Sequence, residues 1–403
     1  MQAKTDKTAA KAGKEELFFQ RWTKPAEVKK VERKDCNGYY PFDFVRFFLL
    51  LYRVFTKKAF DFMYQNLRPD DVEKVRKLTE TIQRNNDISW MLCDYLNNNP
   101  CLITKELMES VNSGGVLSEE MAYFALLTGL CGLDAENNER DRQLADDYFR
   151  RAVKKLDTKS YIENPYYRNI QIPEVKFGDW ELKYERYKPY EAFIYNDLIV
   201  EADFKEIPRV GFFNEEFRFP AVMENDHEWM AIKPNEIETM QPAIDIIEGK
   251  VVTFGLGLGY FTYMASLKER VQSITVVERD NEVIQLFERY LFPQFQHKEK
   301  VEIISGDAFE YAEKQMPDAT FDYAFVDLWH DVSDGLDMYL KMKKMERFSC
   351  QTKFLYWIED SLLSGYRWQI FDWVTKNART YNSIVKCLSK PFLQKLAATK
   401  TPV

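Results

Sequence analysis

The chain has 403 residues, 45% apolar and 30% charged, the balance of a globular protein of two or three domains rather than a disordered one. Fifty-six basic against 64 acidic residues leave a net charge of −8, which argues against nonspecific nucleic-acid coating, because neutralising phosphates needs a basic surface. A mean hydropathy of −0.46 and no 18-residue apolar run argue against a helical membrane span. Six scattered cysteines without a CxxC pair suggest neither a disulfide framework nor zinc, as expected in the cytoplasm.

Residues 1–16, MQAKTDKTAAKAGKEE, lack an apolar core and read as a polar, disordered tail rather than a secretory signal. Residues 17–168 carry helical patterning. Phe42 to Phe55 is apolar but short, and Asp43, Arg46 and Arg53 interrupt it, so it reads as a buried helix. Asp70, after Pro69, is the expected N-cap of a helix whose Val72, Val75, Leu78 and Ile82 recur at spacings of three and four. Ser118 opens another helix, with an apolar stretch to Leu133, and Leu144, Tyr148, Ala152 and Leu156 line a third. Met121 to Asp157 has the cadence of one tetratricopeptide unit without a second copy, which predicts a small helical domain and not a solenoid.

Between 169 and 249 the pattern changes to a β-rich connector with an entry helix. Trp180 to Tyr187, Ala192 to Tyr195, Leu198 to Phe204 and Glu216 to Phe219 are aromatic and β-branched runs separated by turn residues, and they predict short antiparallel strands. Pro234 opens a helix through Glu236, Met240, Ile244 and Ile247 that Gly249 closes. From 250 to 403 strand and helix alternate. Lys250 to Phe254, Ser273 to Glu278, Val301 to Ser305, Phe321 to Asp327 and Thr352 to Ile358 are apolar runs spaced by helical segments, followed by a helical stretch from Leu362 to Leu396. That alternation predicts parallel strands with helical crossovers: an α/β, Rossmann-like, doubly wound sheet.

The chemistry concentrates at the ends of these runs. The first passes into Gly255-Leu256-Gly257-Leu258-Gly259 and then a helix; glycines permit a tight turn and close ligand approach, and a helix start attracts electron-rich groups. The second ends in Glu278, 19 residues after Gly259, the position from which doubly wound folds hold ribose hydroxyls. The third ends in Ser305-Gly306-Asp307-Ala308 and the fourth in Asp327, so four successive strands present Gly, Glu, Asp and Asp on the ligand-binding rim. This pattern predicts a nucleoside-cofactor site.

With these motifs, Lys250 to Ile358 resembles the class I S-adenosylmethionine-dependent methyltransferase superfamily, and within it the spermidine-synthase-like group. The resemblance to that group rests on a β-stranded piece before the sheet and an FD-x-x-x-x-D fourth strand, Phe321-Asp322 to Asp327. It implies S-adenosyl-L-methionine as cofactor, with Gly255, Gly257 and Gly259 against its methionine part, Glu278 on ribose, Asp307 and Ala308 at adenine, and Asp327 at the methyl donor and acceptor entrance. The chain departs from aminopropyltransferases in having Leu256 and Leu258 in place of an extra acidic residue in the loop, and Trp329-His330-Asp331 in place of an Asp-Pro pair. A nicotinamide cofactor fits less well, because the loop is GxGxG followed by Tyr260 and not GxGxxG.

The expected activity is methyl transfer to a small-molecule or protein acceptor that the sequence does not identify. Aminopropyl transfer, or non-catalytic nucleoside binding with the helical domain recruiting a partner, are the alternatives. Asp327 and His330 are the candidate catalytic pair, with His330 as a proton acceptor or, equally, a loop-packing residue. Trp329 is a candidate pocket wall or core residue. Asp331, Asp334 and Asp337 follow no calcium-loop spacing and read as a solvated loop, without metal. Lys341, Lys343, Lys344 and Arg347 read as a solvated helix face.

Overall fold

Arg68 has extended backbone (ψ 140°) and Pro69 follows it as the first helical residue, because its fixed φ suits that position and it has no N–H to satisfy. The computed structural model, which describes residues 67–112, 115–225 and 227–399, thus begins with helix α1 (Pro69–Asn98). Asp70 is not its N-cap; it lies with Asp71 in the first turn, where both oppose the helix dipole. The tail at 1–16, the start of the helical domain and the Phe42-to-Phe55 helix lie outside the described residues. Val75, Leu78, Ile82, Leu92 and Leu96 form the buried stripe of α1.

Helices α2 (Lys105–Val111) and α3 (Glu119–Leu130) follow. Ser118 caps α3 as expected, its hydroxyl accepting from the Met121 N–H at 3.2 Å. The third helical stretch buries Leu144, Tyr148 and Ala152, but Leu156 is not helical. At Val153 the chain becomes strand β1 (Val153–Lys155), and the Leu156 N–H donates to the Phe212 carbonyl at 2.9 Å.

The connector contains β2 (Val175–Phe177), β3 (Trp180–Tyr187), β4 (Phe193–Ile194), β5 (Ile199–Val200), β6 (Glu206–Ile207), β7 (Val210–Phe212), β8 (Phe217–Glu224) and β9 (His227–Ala231). An antiparallel sheet has the order β2-β3-β8-β9. The four runs expected to form antiparallel strands do pair antiparallel, as β3, β4, β5 and β8, whereas β1, which precedes the connector, pairs parallel with β7. The run from Leu198 to Phe204 shrinks to β5, because the chain turns at Glu201–Lys205 with Phe204 at φ 65°. Strand β8 continues past Pro220, whose carbonyl still accepts from the Ile232 N–H at 2.8 Å.

Helix α4 (Pro234–Ile246) starts at Pro234 as expected. Gly249 does not close it. It begins the next strand at φ 68°, and a Cβ there would lie 2.1 Å from Asp322 Oδ2, the atom that accepts the Lys250 N–H at 2.7 Å.

Strands β10 (Gly249–Phe254), β11 (Val271–Glu278), β12 (Val301–Ser305), β13 (Tyr323–Val326) and β14 (Lys353–Tyr356) are all parallel, in the order β12-β11-β10-β13-β14. The protein is therefore α/β with a five-stranded parallel sheet. The order reverses between β10 and β13, which opens a crevice beyond their carboxyl ends. Helices α5 (Tyr260–Ser266), α6 (Asn281–Leu286), α7 (Ala308–Lys314) and α8 (Val332–Met345) separate the strands; α9 (Glu359–Asn377), α10 (Tyr381–Leu388) and α11 (Lys390–Thr399) follow β14.

Val251, Phe254, Ile274, Val276, Phe325 and Val326 are buried in the sheet core, each stabilising the fold by about 1.5–3 kcal/mol. On α8 the basic face is not wholly solvated. Lys343 is buried, donating to Glu346 at 2.6 Å and lying over the Tyr356 ring, while Lys341 and Arg347 are exposed. Among the described residues no helix is long and apolar enough to cross a membrane, and no disulfide joins Cys93, Cys101, Cys131, Cys350 or Cys387.

Candidate active site

The loop after β10 folds as it does because three glycines take left-handed φ values of 98°, 51° and 72° at Gly255, Gly257 and Gly259. A Cβ on Gly255 would sit 2.0 Å from the Asp327 carbonyl oxygen, and one on Gly257 would sit 1.9 Å from Met230 Sδ. The loop thus lies directly against the residue that ends β13 and against β9. Gly255 and Gly257 line a cavity of about 270 Å³ at the crevice. Gly259 is not in its lining; it precedes α5 and abuts the Phe287 ring.

Glu278, Asp307, Ala308, Asp327, Trp329 and His330 line the same cavity, so the sheet rim brings together every other residue singled out in the sequence as a site residue. Their hydrogen bonds differ. One Glu278 oxygen accepts the Leu256 N–H at 3.0 Å, and the other accepts the Arg279 and Asp280 N–H groups at 2.8 and 2.9 Å. Glu278 therefore holds the glycine loop to the end of β11; a carboxylate with about four acceptor sites still has capacity for a ribose hydroxyl. Asp307 caps α7, accepting from the Phe309 and Glu310 N–H groups at 3.0 and 2.9 Å.

The Asp327 backbone N–H donates to the Phe254 carbonyl at 3.0 Å, but among the described residues no donor meets its carboxyl. Burial, then the Glu278 charge, push that carboxyl up to about 7, against a smaller opposing effect of His330. A second carboxyl shares this condition. Glu236, at the start of α4, is 7% exposed, lines the cavity, and has no donor among the described residues. Burial and then Asp327 raise it well above the ordinary carboxylate range, with Lys233 opposing.

His330 is tied to the start of α8. Its backbone N–H donates to Asp334 at 3.2 Å, its Nδ1 lies 3.4 Å from Asp334, and its ring meets Trp229 edge-on at 3.9 Å between centroids. Asp331 and Asp334 form the capping box of that helix, Asp337 is exposed, and no metal-binding cluster occurs among the described residues. Trp329 packs on Gly335, where a Cβ would lie 2.8 Å from its ring; it walls the cavity without filling it, and its indole N–H has no partner among the described residues.

Sequence reasoning missed the role of Glu236, which reads there as one more residue of an amphipathic helix. It also missed the wall of Trp180, Glu224, Trp229, Met230 and Trp357. Trp180, Glu224, Trp229 and Met230 come from strands, and Trp357 from the turn after β14, and only the tertiary fold defines which of these positions face the cavity.

No family model matches the chain, and no curated protein matches it. Part of the chain is similar to two solved structures. One is a spermidine synthase in complex with the transition-state analogue AdoDATO, at 15% identity over 38% of this chain and 60% of that chain, TM-score 0.29. The other is the spermidine synthase from Thermotoga maritima, at 16% identity over 38% of this chain and 59% of that chain, TM-score 0.27. The chain thus spans about three-fifths of the length of each of these structures.

Proposed function

We propose that the protein is an S-adenosylmethionine-dependent transferase that moves a methyl group to a nucleophilic acceptor. The observation that carries this reading is the charge of the cavity. Glu224, Glu236, Glu278, Asp280, Asp307 and Asp327 line it against the single arginine Arg279. Such a lining repels a dinucleotide pyrophosphate and favours a nucleoside bearing a cation, and the carboxyls of Asp327 and Glu236 have no counter-ion hydrogen-bonded to them among the described residues.

Bound there, S-adenosylmethionine supplies an electrophilic methyl carbon on a sulfonium. In this reading Glu278 receives a ribose hydroxyl while it holds the loop, Asp307 and Ala308 flank the adenine, and Gly255 and Gly257 admit the methionine part. Asp327 would take the proton of the acceptor, freeing the lone pair for the methyl carbon that the sulfonium would give up, with the electron pair of the carbon–sulfur bond left on sulfur. His330, whose side chain is 31% exposed and whose charge acts on Asp327, would carry the proton out to solvent. In this reading the described part of residues 250–403 serves as the cofactor domain, and residues 169–249 supply the cavity's outer wall through Trp180, Glu224, Trp229, Met230 and Glu236. Positioning and exclusion of water supply most of the rate.

A second reading, aminopropyl transfer from the decarboxylated cofactor, is favoured by the same acidity, since that ligand lacks the carboxylate that these side chains repel. Calorimetry with both cofactors separates the two readings by relative affinity. S-adenosylmethionine or S-adenosylhomocysteine at 100 times its Kd raises folding stability by roughly 2.7 kcal/mol, whereas NAD leaves the melting temperature unchanged. A shift with NAD and none with either sulfur nucleoside would falsify the assignment.

A further inference from the structure

A second cavity, of about 260 Å³, lies beside the first and shares with it the wall formed by Trp229, Met230, Glu236, His330 and Trp357. Its far side is built from α1 and the connector, and it is mainly aliphatic: Leu92, Leu96, Ile194, Leu198, Val332 and Ile358. Its other charged groups are already engaged. Asp197 accepts the Asp360 and Ser361 N–H groups at 3.0 and 3.1 Å, where α9 begins without a side-chain cap of its own. Lys233 pairs with Glu228, Arg209 donates to the Tyr195 hydroxyl at 2.7 Å, and Asp331 caps α8. Glu236 alone among the carboxyls of this lining faces both cavities without a donor among the described residues.

We propose that this second cavity is the acceptor site of the transferase and that it takes a primary amine with a long apolar body, its ammonium group at Glu236 and its chain among the aliphatic side chains. The inference rests on the transferase reading for the second ligand only; the amine site stands on its own geometry. Two indoles, Trp229 and Trp357, complete the shared wall, and indole rings attract cations. A diamine or polyamine fits less well, because Leu92, Leu96 and Leu198 offer its second ammonium group no acceptor and the other carboxylates of the lining, Asp197, Glu228 and Asp331, already accept hydrogen bonds. Asp327 stands on the cofactor side of the wall, so an ammonium group at Glu236 is next to the carboxyl that removes its proton. Loss of that proton frees the nitrogen lone pair; the carbon–nitrogen bond forms as the carbon–sulfur bond breaks, and sulfur keeps the electron pair.

The test titrates n-octylamine and putrescine by calorimetry into the full chain, alone and saturated with S-adenosylhomocysteine. n-Octylamine is expected to bind at least about tenfold more tightly than putrescine. Leu198→Trp, which fills the cavity from the connector, and Cys93→Phe, which fills it from α1, are each expected to weaken n-octylamine at least about tenfold and leave S-adenosylhomocysteine unchanged. Having two fillers on opposite walls keeps the test valid if one variant fails to fold. Putrescine binding as tightly as n-octylamine, or n-octylamine binding unaffected by a folded filler variant, overturns the proposal. n-Octylamine binding in the expected way to a protein that ignores S-adenosylhomocysteine supports the amine site and refutes the cofactor reading instead.

Discussion

Replacing Asp327 by Asn removes a charge from the carboxyl that burial and Glu278 perturb most clearly, while keeping its shape. In the folded protein this group titrates at about 7, against an ordinary value of 3.8. Because the folded value is raised, the protonated form is favoured by folding. The associated stability is complete below about pH 4 and is lost as pH rises through about 7. Each pH unit of separation is worth about 1.36 kcal/mol, so the wild type forfeits up to about 4 kcal/mol across this window, and the Asn variant does not. For a chain of this size that corresponds to roughly 4–8 °C in melting temperature, extrapolating from the size dependence of unfolding entropy.

Thermal melts of both proteins at one scan rate, from pH 4 to 8.5 but away from the pI of 5.3, are expected to give similar midpoints at pH 4. The variant should move ahead steadily to pH 7 and hold a constant lead above it. Parallel profiles across the whole range, or a variant less stable than the wild type at pH 8, would refute the claim that an unpaired carboxyl sits in this crevice. Glu236 responds to the Asp327 charge, so Glu236→Gln in the Asn background should add less than it does alone.

The same Asp327→Asn change is expected to lower turnover roughly 10²–10⁴-fold with S-adenosylhomocysteine affinity preserved, because that ligand lacks the sulfonium charge, and wild-type turnover should rise with pH through about 7, as seen in a kcat–pH profile. Glu278→Ala removes the acceptor of three backbone N–H groups, so calorimetry and melting should show weaker cofactor binding together with a loss of about 1–3 kcal/mol of stability. Gly255→Ala forces a β-carbon to within 2.0 Å of the Asp327 carbonyl oxygen at a φ of 98°; it should cost about 3 kcal/mol or more, read as a lower denaturant midpoint. His330→Asn should slow turnover by roughly 10²-fold and leave S-adenosylhomocysteine binding unchanged by calorimetry.

The sheet was legible because each of its strands is a short apolar run bounded by punctuation. Val301–Ser305 appears with the predicted ends, and the other four differ from expectation by one to a few residues. The connector was less legible. Its strands are as short as two residues, and their pairing is decided by distant partners, as when Val153 leaves a helical pattern to pair with Val210. Lys343 was misread for a related reason: helical spacing says nothing about a glutamate on the following turn and a tyrosine on the neighbouring strand.

The site divides along the same line. Gly255, Gly257, Glu278, Asp307 and Asp327 were readable because the doubly wound topology assigns chemistry to the ends of successive strands, a rule that counts residues along the chain. Glu236 obeys no such rule. It is two residues beyond a proline at the start of a helix, a position where an acidic side chain ordinarily serves the helix dipole from solvent. In this fold α4 is laid against the crevice, and the same carboxyl is buried near Asp327 with nothing among the described residues donating to it. A buried carboxyl left without a donor costs stability unless its proton is kept or a cation arrives. In the reading proposed above, these two groups beside the wall between two cavities hold a place for positive charge, first on the sulfur of the donor and then on the nitrogen of the acceptor.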